Sequence, residues 1–212
     1  MSAVSTSTTT DAFLDAVKAR RSLYQLSKGG SVPDSRVEQI VKEAILHTPT
    51  SFNYQIGRAV VLFGAEHDKH WDIVRDVLKA VIGEEAYEKG SAGRIAGFKA
   101  AKGTVLIFDD EPTVRKQEAD FPPYSEHFAP WASQSHGILA HIIWTALELE
   151  GLGANLQHYG NLVFKQVQDT FNVPETWKLG SQLVFGHPEG PAGEKQFKPI
   201  EERFRSLGSS SQ

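Results

Sequence analysis

Two short segments carry the side chains best suited to holding a ligand. Thr48-Pro49-Thr50-Ser51-Phe52-Asn53-Tyr54-Gln55 places five side chains able to hydrogen-bond within the six residues Thr50 to Gln55. Pro49 fixes one backbone angle and removes a donor, so the segment is a shaped loop. Loops held between rigid elements are where binding groups concentrate. A polar turn capping a helix would use the same residue types, because Ser, Thr and Asn favour turns for local reasons. The second segment is Arg20-Arg21-Ser22. Its arginines could complement the negative end of a preceding helix. They could equally bind an anion, since a guanidinium offers a planar fork of donors that matches a phosphate and the serine hydroxyl adds one more.

Further candidates are weaker. Leu156-Gln157-His158-Tyr159 closes a predicted strand with two large amphipathic side chains, and Lys195 to Arg203 is a mixed-charge C-terminal segment that reads as solvated. His67 and His70 lie among Glu66, Asp68 and Lys69, so a solvated helix face is expected rather than a metal site. His136 and His141 are spaced to point in different directions on a helix. There is no His-Glu-x-x-His, no Gly-x-Ser-x-Gly elbow and no Walker-type loop. Gly151-Leu-Gly153 follows a predicted helix and precedes a strand, which is the wrong context for a dinucleotide fingerprint and reads as a helix stop. The 26 acidic residues single out no catalytic pair. Chemistry without an obvious catalytic constellation points to a cofactor that the protein positions and tunes.

The elements that must position these residues follow from periodicity. Residues 10–18 read as a helix with Phe13, Leu14 and Val17 on one face and Thr10 or Asp11 as N-cap. A helix after Pro33 has capping-box spacing at Ser35 and Glu38 and a stripe of Val37, Ile40, Val41, Ala44 and Ile45. Residues 58–64 and 104–108 read as strands buried on both faces. Residues 66–82, 84–101, 111–119, 125–150 and 162–171 read as helices, with 154–158 and 181–185 as strands. The 125–150 helix is the longest and reads as heavily buried. Interleaved helices and short strands argue a layered α/β or α+β domain.

At 212 residues the chain suits one domain with a substantial core, expected over residues 10–207 with tails at 1–9 and 208–212. A net charge of -4 and a pI near 6.1 leave no electrostatic footprint for nucleic acid. The absence of cysteine excludes disulfide scaffolds, thiol catalysis and cysteine-held metals, and fits a reducing compartment. Neither a secretory leader nor an apolar stretch near the ~20 residues of a membrane span is visible. The expected location is the cytoplasm, or cytoplasm and nucleus.

Taken together these segments resemble the nitroreductase family of FMN-dependent oxidoreductases. The resemblance rests on Arg20-Arg21-Ser22 after an N-terminal helix, on Pro49-Thr50-Ser51-Phe52-Asn53-Tyr54-Gln55, on Leu149-Glu-Gly151-Leu-Gly153, and on Lys195-x-x-Lys198-Pro-Ile-Glu-Glu, in that order. Arg-Arg-Ser-x-Tyr, Ser-Phe-Asn-x-Gln-x-x-Arg and Leu-Gln-His-Tyr are similar to the yeast-like, fatty-acid-repression-mutant-like branch, also found in lactic acid bacteria. The resemblance implies a three-layer α+β fold with a mainly antiparallel sheet, an intertwined homodimer and two FMN molecules at its interface. It implies that Arg20, Arg21 and Ser22 hold the FMN phosphate, with Lys195 and Lys198 as C-terminal candidates. It implies that Pro49, Thr50, Ser51, Asn53 and Gln55 line the flavin from the partner subunit, and that His158 and Tyr159 run along the ring. Tyr24 and Phe197 stand where relatives often have basic residues, so Arg94, Lys99 or Arg203 could substitute. Ile56-Gly57 replaces a common Pro-Trp on the substrate side.

The implied reaction passes a hydride from NAD(P)H through the flavin to a nitroaromatic or quinone, by a ping-pong sequence with no side chain as obligatory proton donor. A non-catalytic flavin-binding or regulatory protein on the same fold would share the ligands. A cofactor-free hydrolase or interaction domain is the more distant alternative.

Overall fold

A computed structural model describes residues 9–209 of the chain. The sheet is organised around two strands, β3 (Gly103–Asp110) and β5 (Trp177–Pro188). Every residue from Gly103 to Phe108 is buried, as a strand covered on both faces requires. Side chains alternate across it. Leu106 and Phe108 join one core cluster with Val184, whereas Val105 and Ile107 join another with Leu183 and Phe185. With β1 (Leu26–Ser27) and β2 (Gly57–Phe63) the order is β1-β5-β3-β2, and β4 (Gly153–Gln157) also pairs with β5. All of these strand pairings are antiparallel.

Helices cover both faces. α3 (Gly64–Ile82), α5 (Ala92–Lys99) and α8 (Gly160–Phe171) send Trp71, Val74, Phe98 and Val163 into the first cluster. α2 (Asp34–His47) and α7 (Ser125–Leu149) send Val37, Val41, Ala44, Leu139, Ile143 and Leu147 into the second. The result is the expected three-layer α+β fold with a mainly antiparallel sheet. α1 (Thr9–Ala19), α4 (Glu84–Gly90) and α6 (Glu111–Asp120) complete the helices used below. α1 buries none of its residues, and Phe13 is 64% exposed. Of the expected tails, residues 1–8 and 210–212 lie outside the described residues; Thr9 opens α1, and Gly208 and Ser209 are exposed.

Several expectations are corrected. Ser35 and Glu38 form no capping box: α2 opens after Pro33 with no side-chain cap, because Ser35 is already inside the helix. Residues 84–101 form α4 and α5 instead of one helix, broken at Ser91 (φ −124°) between Gly90 and Gly93. Glycine weakens a helix interior, so the break falls there. β2 packs on both faces, Val60 and Leu62 against the first cluster and Ala59, Val61 and Phe63 against the second, but as the edge strand beside β3 it is mostly half-buried, with Leu62 alone fully buried among its residues.

His67 and His70 are wholly buried, not solvated. They share one helix face with Trp71, Val74 and Leu78, while the charged neighbours face outward. His67 Nε2 lies 3.2 Å from the Lys99 carbonyl and Nδ1 lies 2.9 Å from Thr104 Oγ1. A carbonyl can only accept, so Nε2 carries the proton and the Thr104 hydroxyl donates to Nδ1. Trp71 Nε1 donates to the same Oγ1 at 3.0 Å. Burial is the main cause that pulls His67 down to about 4 and His70 to about 3.

Candidate functional site

The Arg20-Ser22 segment is a turn fastened on two sides. α1 stops at Ala19, and the chain then runs beside β4. Ser22 bridges Ala154 in parallel, Leu23 N donates to Ala154 O at 2.9 Å, and Asn155 Nδ2 donates to Leu23 O at 2.8 Å. From α7, both carboxylate oxygens of Glu148 stand 3.0 Å from Arg21 N. Trp144 Nε1, one turn earlier, donates to Glu148 Oε1 at 3.2 Å, and the Arg20 guanidinium lies 4.5 Å over the Trp144 ring. The Arg21 guanidinium donates to the Gly193 carbonyl, which ties the C-terminal segment to the turn. Burial raises the Glu148 pKa, opposed by the Arg21 N–H, the Trp144 N–H and the charges of Arg20 and Arg21.

This turn opens on a cavity of about 550 Å³. Arg20 and Ser22 lie on its wall with His136, His141, Trp144, Leu156 and His158. His136 and His141, five apart on α7, both border this hollow, and His136 also borders a second cleft. Tyr159 turns away from it into the core, its ring centroid 6.0 Å from that of Trp71 in an edge-to-face pair and its backbone N–H donating to Gln182 Oε1 at 2.8 Å. Lys195 and Lys198 sit on the exposed C-terminal segment, with Lys195 Nζ 5.1 Å over the Phe197 ring. Of the substitutes, Lys99 is paired with Asp72 at 2.7 Å, and Arg94 and Arg203 are exposed.

The Thr48–Gln55 loop lies elsewhere on the same chain. Three of its residues, Phe52, Asn53 and Gln55, hold positive φ of 50°, 56° and 54°. Such angles are costly for residues with a Cβ and persist only where surroundings fix them. The clamps are visible. Gln117 Nε2 donates to Ser51 O and Oγ at 2.8 Å, Gln55 N donates to Thr50 Oγ1 at 2.9 Å, and Phe52 stacks on Phe121 at 4.4 Å. The Tyr54 hydroxyl donates to Asp120. Pro49, Asn53 and Gln55 are exposed. Thr50 and Gln55 border a cleft of about 10 Å³ with Ile56, Gly57 and His136, separate from the hollow of Arg20.

His136 borders both spaces. Its Nδ1 lies 3.2 Å from Asp109 Oδ1 and its Nε2 lies 2.8 Å from Ser181 Oγ. An acid–imidazole–serine line suggests hydrolysis, but Ser181 is wholly buried in β5 and presents no nucleophile to a substrate. The line is instead a brace across α7, β3 and β5. Beside it the β3–β5 register shifts, leaving Gly180 without an opposite residue. A Cβ on Gly180 would stand 2.5 Å from His136 Cε1, so only glycine lets the ring lie against the strand.

The structure thus joins Arg20, Ser22 and His158 in one hollow and leaves Thr50 and Gln55 beside another. Glu148, Trp144 and Gln117 were missed from sequence, and His136 was weighed there only as a possible metal ligand. For Trp144 and Glu148 the signal existed: they are four apart on a helix and share a face. For Gln117 and His136 the partners are distant in sequence and left no local mark. Among the described residues, no cluster of His, Cys, Asp or Glu could hold a metal ion. No helix among them is long and apolar enough to cross a membrane.

The profile of the Nitroreductase family matches residues 17–187. The chain is 36% identical over 199 residues to HBN1 of Saccharomyces cerevisiae, spanning 93% of this chain and 95% of the yeast protein. It is 36% identical over 189 residues to the nitroreductase FRM2 of the same yeast, spanning 87% and 92%. Nitroreductase CinD from Lactococcus lactis, solved with chloramphenicol and with 4-nitrophenol, superposes with a TM-score of 0.85 at 41% identity, covering 92% of this chain and 99% of CinD. By family profile, by yeast-like relatives and by fold, this chain belongs to the nitroreductase family and is a nitroreductase-type oxidoreductase.

Proposed function

We propose that the chain is an FMN-dependent enzyme that takes reducing equivalents from NAD(P)H and delivers them to nitroaromatics or quinones by a ping-pong sequence. The observation that carries this reading is the hollow of about 550 Å³ with Arg20 and Ser22 on its wall. Forked guanidinium donors and a hydroxyl are the donor set a phosphate monoester needs. Trp144 and Leu156 offer apolar wall for a planar ring, and His158 stands on the same hollow. When bound there, FMN supplies hydride acceptance and release; one hollow serving donor and acceptor in turn gives the ping-pong order. The chain's own residues bind and orient. Arg20 and Ser22 hold the phosphate end, Trp144 orients the Arg20 fork, and Asn53 and Gln55 are polar groups presented to a neighbour. That CinD was solved with 4-nitrophenol supports the acceptor class.

The reading includes a homodimer. Within one chain no residue of the Pro49–Gln55 loop lines the hollow of Arg20, and in this reading a second copy presents its loop there. The uncovered apolar groups agree: Phe13, Phe197, Ile200, Phe204 and Leu207 are each at least 60% exposed. Lys195 and Lys198, exposed on the C-terminal segment, are in this reading the further candidates for the phosphate. We place the enzyme in the cytoplasm as one domain per subunit.

A visible spectrum of the purified protein, together with its solution mass, tests cofactor and dimer. Flavin bands and twice the chain mass are expected, and a colourless protein that stays colourless after incubation with FMN refutes the reading. Oxidation of NADH in the presence of 4-nitrophenol separates an enzyme from a flavin carrier: full FMN occupancy without turnover indicates the carrier.

A further inference from the structure

We propose that Glu148 is the positioning residue of the anion-binding turn, holding both the backbone at Arg21 and the side chain of Arg20 in register for a phosphate monoester. The inference rests on the flavin reading above and deepens it.

One carboxylate makes both connections. Its two oxygens stand 3.0 Å from Arg21 N, so the main chain of the turn is fixed from α7. Its Oε1 also receives the Trp144 indole N–H at 3.2 Å, which fixes the plane of the ring. The Arg20 guanidinium lies 4.5 Å over that ring, so the ring plane sets the guanidinium's resting place. Glu148 thereby acts on Arg20 without touching it.

Its location argues against direct contact with the ligand. Arg20, Ser22 and Trp144 line the 550 Å³ hollow, whereas Glu148 lines a different cavity of about 240 Å³ with Ala16, Leu23 and Leu152. The carboxylate therefore stands behind the turn. A negative charge facing a phosphate would oppose binding; one behind two arginines neutralises part of their mutual repulsion and preorganises them. Arg21 N is committed to Glu148, the Arg21 guanidinium donates to the Gly193 carbonyl, and Arg21 does not line the hollow, so the donors presented to the anion are the Arg20 fork and the Ser22 hydroxyl. Burial, which raises the Glu148 pKa, is the cost the chain accepts to keep a carboxylate there.

The test exploits riboflavin, which shares the flavin ring but lacks the phosphate. The full-length protein is stripped of cofactor and titrated with each ligand by flavin fluorescence. In Glu148→Ala the FMN affinity falls about 10-fold or more while riboflavin affinity stays within about 2-fold, because only the phosphate end loses order. Glu148→Gln recovers most of the FMN affinity, since its carboxamide oxygen still accepts from Arg21 N and Trp144. Equal losses for both ligands in Glu148→Ala, or an unchanged ratio, overturn the assignment. If Glu148→Ala does not fold, Trp144→Phe carries the test: it keeps a ring under Arg20 but loses the indole N–H. An FMN-selective loss supports the proposal, and an unchanged ratio overturns it. A wild-type protein that binds neither ligand refutes the flavin reading itself, whereas one that prefers FMN, with Glu148→Ala keeping that preference, refutes the Glu148 assignment alone.

Discussion

Gln117, buried in α6, donates its amide N–H groups to both the carbonyl and the hydroxyl of Ser51 at 2.8 Å. One side chain thus holds the loop whose next residues carry left-handed backbone angles. Replacing it by leucine removes the clamp and leaves the Ser51 groups to find other partners. Gln117→Leu is expected to destabilise the fold by about 1–3 kcal/mol and to loosen the loop. Urea denaturation and proteolysis within residues 49–55 measure the two effects. Unchanged stability together with unchanged proteolysis refutes the clamp.

Arg20 supplies the charge-assisted contact of the proposed phosphate site. Arg20→Ala should weaken FMN binding by about 1.5–3 kcal/mol, or roughly 10- to 150-fold in Kd. Arg20→Lys should recover only part of this, because an ammonium does not offer a planar fork and stacks less well on Trp144. Fluorescence titration reads both. A variant that retains flavin like the parent at equal dilution removes Arg20 from the site.

Gly180 and His136 are coupled by space. A Cβ at Gly180 meets His136 Cε1 at 2.5 Å, and the imidazole is pinned by Asp109 and Ser181. Gly180→Ala should cost about 1–3 kcal/mol by overpacking. In a His136→Ala background the same change should cost less by at least about 0.5 kcal/mol. Thermal or urea unfolding of the four proteins closes the cycle, and strict additivity contradicts the contact.

The buried histidines make stability depend on acid. In the unfolded chain both titrate near the ordinary ~6.5. In the fold, burial lowers His67 to about 4 and His70 to about 3. Below ~6.5 the unfolded chain therefore binds more protons than the folded one, so stability is complete above that pH and falls as the pH drops toward 4 and then 3. For His67 the loss reaches about 3 kcal/mol. Urea midpoints at pH 7, 6, 5 and 4 should decline along this course, and His70→Phe should flatten it. A parent and variant with parallel pH profiles would contradict the assignment to His70.

Much of the chain's organisation was legible before folding. The apolar runs of residues 58–64 and 104–108 named two adjacent strands, and the 3.6-residue stripe of Val37, Ile40, Val41 and Ala44 named the buried face of α2. Arg20, Ser22 and the Thr48–Gln55 loop stood out as candidates because fork donors, hydroxyls and a shaped loop are local properties. His67 and His70 were misread because their charged neighbours outweighed a spacing that fits Trp71 and Val74. The capping box was misread because Pro33, not Ser35, stands at the helix start.

The sequence by itself determined residue type and period: which stretches are apolar on one side, which carry donors, and that thiol chemistry is absent. Only the tertiary structure decided which groups meet. It set Glu148 behind Arg21, 127 residues away in sequence, and placed His136 between Asp109 and Ser181. It also kept the Pro49–Gln55 loop out of the hollow that Arg20 lines. The reason is physical: propensity and periodicity act over a helical turn or a strand, whereas these contacts are fixed by how α7 packs on a twisted sheet, and no local pattern encodes that packing.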